Sequence, residues 1–568
     1  MITELYGSIF DEISDQAEIA VFTSGILDAA ARAALESAMS AAGKSGGGFV
    51  LRTYPRELGF YVDPITLDAV CAHNFAFAVS VEALRSIGGV DCSMGAAAAT
   101  DVIRRLRCAG FATSYLPSAC VRGEFEGETY AELLYGTLAL RLRYGRVADV
   151  WNAKIMWLKA LKCPNGYNTT RSELRSSLKR RMSCLFSIFF ERFGSGKKFK
   201  CTLTHEQVAC LGFERGDYTS EELPQFSETP RVSLITRTRN RPETLRKTLE
   251  SLRHQTYKNL EIVVIEDGEP LCERMLKRDF ADLEISYEAT VENVGRAAAA
   301  NRGFKRASGE YLNLLDDDDY LLPEHVELGV RAARTSGADI VFMRGVALET
   351  DKKSDAPYEF EIKGKQLLNF PRVDAFTMVR RCVTTQNGVL FKKSLCESVG
   401  GMREELGAHE DWNLWLRLMA QGKSITLPYV TCCYIVPADA EVERARLAQY
   451  SKFDGELLAD DVLVYYLSAD EIAQAYRSVI RDYMYLFTLD RALEHLAAEY
   501  PKAAEFLAPR GQKTLRFSDV MDGNHHKFTG FQLRELYENL ICELEEKRKK
   551  NELRNFIASE HRQIEKQS

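Results

Sequence analysis

The sequence predicts an α/β protein whose main domain is a mainly parallel sheet with helices on both faces. Three observations predict it. Short β-type runs alternate with helical runs from about residue 229; carboxylates gather where two of the β-runs end; and the helical runs between them are long enough to be crossovers. Strand, helix, strand in this rhythm implies parallel pairing, and ligands of such sheets sit at the carboxyl ends of strands.

The elements follow in order. "VSLIT" (232–236) is a strand, and "RPETLRKTLESLRHQ" after it is a helix, with Pro242 near its start and Leu245, Leu249 and Leu252 on one face. "LEIVVIED" (260–267) and "LEISYEA" (283–289) are the next strands, and "YLNLLDDDD" (311–319) is the fourth. The stretch "VGRAAAANRGFKRASGE" between the last two is an Ala-rich helix. Glu266, Asp267 and Asp316–Asp319 therefore fall at two strand ends. Four adjacent carboxylates repel one another unless a cation, basic groups or water relieves them, so the tetrad marks a candidate site. Its bland counterpart is a solvated turn.

Composition bounds the rest. A chain of 568 residues with 46% hydrophobic content fills roughly three or four domains. A net charge of −7 and a pI near 5.9 argue against nucleic acid as a partner, because phosphate neutralisation needs a basic surface. The 14 cysteines show no CxxC pair and no framework spacing, which fits reduced thiols. The acidic N-terminus lacks a signal-peptide pattern, and no apolar run reaches the ~18 residues of a membrane span. A cytoplasmic location is the expectation.

An internal repeat is visible at an offset of 312. "SIGGVDCSMGAAAATDVIRRLRCAG" (86–110) aligns without a gap on "SVGGMREELGAHEDWNLWLRLMAQG" (398–422), matching Gly88 with Gly400, Gly89 with Gly401 and Arg105 with Arg417. A duplicated half-domain explains this better than chance likeness between two helices. The expected organisation is 1–165 as a truncated copy, 166–228 as a basic helical linker, 229–440 as the complete domain and 441–568 as a helical region. Within the linker, Lys179, Arg180 and Arg181 precede Leu185, Phe186, Ile188, Phe189 and Phe190. That composition fits either peripheral contact with the inner face of an anionic membrane or a helix packed on its own domain. The last helical stretch, with mixed charges, fits either a homodimer contact or a solvated helix.

Residues 229–440 resemble family 2 glycosyltransferases of the GT-A fold. The resemblance rests on "VSLITRTRNRPETLRKTLESLRHQTYKNLEIVVIEDGE", "NVGRAAAANRGFKRASGEYLNLLDDDD" and "SVGGMREELGAHEDWNLWLRLMAQG", in that order. It implies a nucleotide-sugar donor, Mn²⁺ or Mg²⁺, and inverting transfer to a hydroxyl of a glycan or lipid-linked glycan acceptor. The chemistry agrees independently: a departing nucleoside diphosphate needs a cation on its phosphates, and hard carboxylate oxygens hold such cations.

By that resemblance Asp316 and Asp318 form the D-x-D pair, with Asp318 the main metal ligand and Asp316 and Asp317 near the ribose and diphosphate. Asp319 would hold the loop. Thr236, Thr238 and Arg239 would border the nucleotide, and Glu266 and Asp267 would meet the base, with a UDP-sugar favoured. Family members often carry Arg where this chain has Ala300, so Arg296 or Arg302 becomes the candidate phosphate contact. Asp411 would be the catalytic base, with Glu410, His409 and Trp412 near the acceptor; an acid there is alternatively a helix-dipole cap. The first copy has Ala98 and Ala99 where these acids stand, and "VFTSGILDAAARAALE" where a D-x-D would be, so it is expected to be inactive. A catalytically weak carbohydrate-binding scaffold is the rival class. A nucleotidyltransferase is a third, disfavoured by the lack of a Gly-rich, basic phosphate loop after the first strand.

Overall fold

The computed structural model describes residues 229–450 apart from 369–372 and 380–381, most of 18–193, and the short strands 2–5, 464–467 and 526–529. Residues 194–228 and the terminal helical stretch lie outside the described residues. By internal contacts the chain divides into two compact units. One comprises Met1–Asn369, Thr384–Ser394 and Ile425–Leu447; the other comprises Phe370–Val383, Leu395–Ser424 and Ala448–Ser568. Among the described residues no helix is long and apolar enough to cross a membrane.

The first unit holds two sheets. The N-terminal one contains β1 (Ile2–Leu5), β2 (Ile19–Thr23), β3 (Ile26–Leu27), β4 (Gly46–Tyr54), β5 (Ala76–Ser80) and β6 (Ala112–Arg122), ordered β1-β2-β5-β4-β6-β3. Its helices are α1 (Ala29–Ala42), α2 (Val81–Ser86), α3 (Ala98–Cys108), α4 (Tyr130–Tyr144) and α5 (Arg171–Phe193). The second sheet contains β7 (Val232–Thr238), β8 (Leu260–Glu266), β9 (Ile285–Ala289), β10 (Tyr311–Asp316), β11 (Tyr320–Leu321), β12 (Ile340–Asp355), β13 (Tyr358–Leu367), β14 (Val389–Lys392) and β15 (Ser424–Pro437). Its order is β11-β15-β12-β14-β10-β7-β8-β9, with β13 folded back on β12 as a hairpin.

Strands β9, β8, β7 and β10 run parallel, as the alternating pattern requires, while β14 runs antiparallel to both β10 and β12. All seven residues of β7 are buried, so the strand is covered on both faces. The following helix α6 (Pro242–Arg253) begins with proline, whose missing N–H costs nothing there, and buries Leu245, Leu249 and Leu252. Helix α8 (Arg296–Arg306), which follows the short α7 (Glu273–Asp279), lies hard against the sheet: a Cβ on Gly303 would come within 2.4 Å of Ile235 Cγ2. Helix α9 (His325–Ser336) then leads into β12.

The two sheets repeat one plan. Partners Ile19–Ser80, Ala20–Val79 and Val21–Ala78 of β2 and β5 match Tyr311–Lys392, Leu312–Phe391 and Asn313–Leu390 of β10 and β14. Gly48–Val79, Phe49–Ala78 and Val50–Phe77 likewise match Ile340–Phe391, Val341–Leu390 and Phe342–Val389. On the far side, parallel Ile2–Ile19 matches Val232–Tyr311. Between the β1 and β2 copies the second sheet inserts β8, β9 and their helices; between the β4 and β5 copies it inserts the β12–β13 hairpin. Those are the parts for which the described N-terminal sheet has no counterpart.

The second unit contains α10 (Ala375–Met378), most of α11 (Lys393–Ser398) and α12 (Glu410–Gln421). Helices α11 and α12 repeat α2 and α3 at the offset of 312, and the turns between them repeat the same backbone bonds: the N–H groups of Gly88 and Gly89 donate to Arg85 O and Leu84 O, and those of Gly400 and Gly401 to Glu397 O and Cys396 O. The turn between helices uses Gly88 and Gly89 at φ 83° and 79°, and Gly400 and Gly401 at 79° and 68°, a conformation that residues with a Cβ adopt at a cost. Arg105 Nη1 donates to Ile87 O at 2.8 Å and Arg417 Nη1 to Val399 O at 2.8 Å. Arg105 Nε meets Asp101 at 2.9 Å, and Arg417 Nε meets Asn413 at 2.8 Å.

Candidate functional site

The β10 strand ends in the four carboxylates, and the turn that follows sends them alternately out and in. The side chains of Asp316 and Asp318 are 36% and 32% exposed, whereas Asp317 is fully buried and Asp319 nearly so. The inward pair has structural partners. Asp317 accepts from Thr238 Oγ1 at 2.6 Å, and Asp319 Oδ1 accepts from the Ile435 N–H at 3.1 Å. Thr248 Oγ1 further ties down the turn by donating to Asp317 O at 2.7 Å.

Two arginines balance the charge. Arg237, buried in β7, binds Asp316 Oδ1 through Nη2 at 2.8 Å and Nε at 3.0 Å, and also reaches Gln386 Oε1 at 2.9 Å and Arg296 O at 3.1 Å. Gln386 Nε2 adds a third donor to Asp316 at 3.1 Å. Arg241, just before α6, grips both oxygens of Asp317 and extends Nη1 to Asp318 Oδ2 at 2.9 Å. Like charges about 4 Å apart repel by about 4 kcal/mol at an effective dielectric of 20, so unpaired acids here would not stay together. Burial would raise the Asp316 carboxyl, but the Arg237 charge and hydrogen bonds outweigh it and hold it below the usual range. At Asp317 burial wins over Arg241 and pushes the pKa up to about 7. Burial and the neighbouring aspartates raise Asp318 and Asp319 as well.

The β8 end is internally engaged. Glu266 is buried and accepts from the Cys272 N–H at 2.9 Å and Tyr287 OH at 2.6 Å. Asp267 accepts from the N–H groups of Val294 at 2.7 Å and Gly295 at 3.1 Å, which fixes the entry to α8. Thr236 Oγ1 is buried without a hydrogen-bond partner among the described residues, and Arg239 is exposed. Ala300 is buried, and Arg302 is paired with Glu288 at 3.0 Å, away from the aspartates. Arg296 is exposed and its charge acts on Asp316.

Three residues of this cluster were not anticipated: Arg237, Arg241 and Gln386. Arg237, directly after the "VSLIT" run, was a legible signal, since a strand covered on both faces buries the guanidinium and a buried guanidinium demands an acid. Gln386 sits in a short 3-10 turn that nothing in the sequence marks.

In the second unit, α12 begins at His409, which caps it from the left-handed region at φ 61° and sets its ring edge-on to Trp412, 5.2 Å between centroids. Glu410 and Trp412 are buried, and the Trp412 indole N–H donates to Met378 O at 2.7 Å. Asp411 is half-buried, and its Oδ1 accepts from the Trp412 N–H at 2.8 Å. Helix α12 thus holds Asp411 at its first turn through its own backbone and the buried Trp412.

Residues 233–399 match the family model described as glycosyl transferase family 2. The chain carries a family 2 glycosyltransferase domain. Relatives agree: the sequence is 35% identical over 107 residues to the putative glycosyltransferase EpsH of Bacillus subtilis, covering 19% of this chain and 31% of EpsH. It is 27% identical over 209 residues to the uncharacterized glycosyltransferase YwdF of the same organism, covering 37% of this chain and 74% of YwdF. A mannosyltransferase from Pyrobaculum calidifontis, solved with GDP-Man and Mn²⁺, aligns at 20% identity over 56% of this chain and 88% of its own, with a TM-score of 0.33. The GT-A fold of the family 2 domain is read from its own strand order.

A divalent cation fits this family 2 domain in one way. Among the described residues no three His, Cys, Asp or Glu side chains are gathered to hold a metal. The outward Asp316 and Asp318 offer hard oxygens, and a cation bound through one or two carboxylates takes its remaining ligands from water and substrate phosphates, as Mg²⁺ characteristically does.

Proposed function

We propose that the family 2 domain is a metal-dependent, inverting transferase that moves a sugar from a nucleotide-diphosphate donor, preferably a UDP-sugar, to a hydroxyl of a glycan or lipid-linked glycan. The observation that carries this reading is the alternation of the tetrad, which leaves the side chains of Asp316 and Asp318 partly exposed while Asp317 and Asp319 are buried. A cation there, Mn²⁺ or Mg²⁺, would supply charge stabilisation to the departing diphosphate.

The chain's own residues do the rest. Arg237 and Gln386 fix the Asp316 carboxylate through Oδ1, which leaves Oδ2 for a cation. Arg241 neutralises Asp317 and lends a donor to Asp318 until the donor binds. Asp267 is positioned by Val294 and Gly295 and would accept from the N3–H of uracil. Asp411 would take the acceptor hydroxyl's proton as that oxygen attacks the anomeric carbon, so that one displacement inverts it. Calorimetric titration with UDP, dTDP and GDP, with and without Mn²⁺, tests the donor half. Metal-enhanced binding of one nucleotide, lost in Asp318→Asn, is the expected result. Equal binding with and without metal would remove the metal from the mechanism.

A further inference from the structure

Helix α5 is buried along one side only. Leu174 packs with Ala131, Leu134 and Trp157, while Leu185 and Ile188 join Met94, Tyr135 and Leu140. Arg181 is committed to the protein as well, pairing with Glu132 at 3.1 Å and lying 4.9 Å over the Tyr135 ring. The opposite arc leaves Arg175, Lys179, Met182, Phe186 and Phe190 exposed. Their spacing of i, i+4, i+7, i+11 and i+15 makes one continuous stripe.

The apolar half of that stripe is not scatter. Met182, Phe186 and Phe190 are 39%, 56% and 62% exposed; with Phe189 beside them, 44% exposed, they are four of the nine large hydrophobic residues exposed among the described residues. Concentration in two turns of one helix marks an interaction surface. Its buried face already anchors the helix, so folding does not require the outer one to be covered. Charge selects the occupant. In a chain of net charge −7, residues 171–193 hold six Arg or Lys against two Glu, and the sequence continues through Lys197, Lys198 and Lys200. The stripe itself holds bases and no acid, so a second copy of it would not answer Arg175 and Lys179. An anionic lipid surface answers both halves at once, with phosphates for the bases and the acyl boundary for the aromatic rings.

We propose that α5 docks the protein on an anionic membrane surface through Phe186, Phe189 and Phe190, with Arg175 and Lys179 on the headgroups. This stands apart from the transferase reading. The test is co-sedimentation of the full chain with phosphatidylcholine vesicles and with vesicles holding about 30 mol% phosphatidylglycerol. Binding is expected on the anionic vesicles, reduced by salt and weakened about tenfold or more both in Phe186→Ser/Phe190→Ser and in Arg175→Glu/Lys179→Glu. All four side chains are exposed, so unchanged melting temperatures confirm that the variants fold. No binding to anionic vesicles, or equal binding by both double variants, overturns the proposal. So does a dimer, seen by light scattering, that the phenylalanine variant abolishes without any change in vesicle binding.

Discussion

At the scale of residues, the tetrad divides its labour, and substitutions should divide with it. Asp318 is partly exposed, so Asp318→Asn should leave the melting temperature within about 2 °C while abolishing metal-enhanced nucleotide binding. Asp319 is buried on the Ile435 N–H, so Asp319→Ala should cost about 1–3 kcal/mol and lower the melting temperature measurably. Equal melting temperatures for the two variants would contradict the division. The tetrad itself was legible in the sequence; its alternation was not, because exposure depends on a turn whose geometry is set by Thr248 and Arg241 from another element. His325 gives a second prediction. Its ring is buried between Asn313 and Thr431, and burial pushes its pKa down to about 3 from 6.5. The unfolded chain therefore binds a proton first as pH falls below 6.5, and stability drops by up to about 1.4 kcal/mol per pH unit until the folded pKa is reached. His325→Asn should flatten the acid limb of melting temperature against pH between those values, and an unchanged slope would count against it.

At the scale of elements, the repeat makes paired predictions possible. Arg105 and Arg417 each bind a carbonyl in the Gly-Gly turn and a polar side chain four residues earlier in the helix, and Arg417 is almost fully buried. Arg417→Met should cost about 2–4 kcal/mol by leaving Val399 O and Asn413 short of a donor, and Arg105→Met should cost a comparable amount. Denaturant midpoints of the two variants check this; a large loss in one and none in the other would show that the likeness is only geometric. The 312 offset was readable because glycines and a buried arginine cannot drift. The matching β2/β10 and β4/β12 pairs were not readable as such, since any apolar residue serves in a buried strand and the inserted hairpin shifts the register between copies.

At the scale of the first unit, the N-terminal sheet shares one core with the family 2 sheet. Phe77, Ile103 and Val79 pack with Tyr320, Leu322 and Val346, and Arg52 grips Glu327 with bonds of 2.8 and 2.9 Å. Tyr320 directly follows the tetrad, so the sheet buttresses the carboxylate turn. A chain beginning at residue 229 should expose that core and either aggregate or melt at least about 5 °C lower than the full chain. Undiminished stability of the shortened chain would contradict the shared core. The sequence revealed a second copy but not this packing, because complementary surfaces leave no periodic trace in either partner.

The central claim is metal-dependent transfer from a nucleotide sugar, and release of nucleoside diphosphate from a panel of UDP-, dTDP- and GDP-sugars tests it most directly. The expected result is release from one donor that requires Mn²⁺ or Mg²⁺ and is lost in both Asp318→Ala and Asp411→Asn. No release from any donor, together with no metal-dependent nucleotide binding, would contradict it and leave a carbohydrate-binding scaffold on a transferase fold.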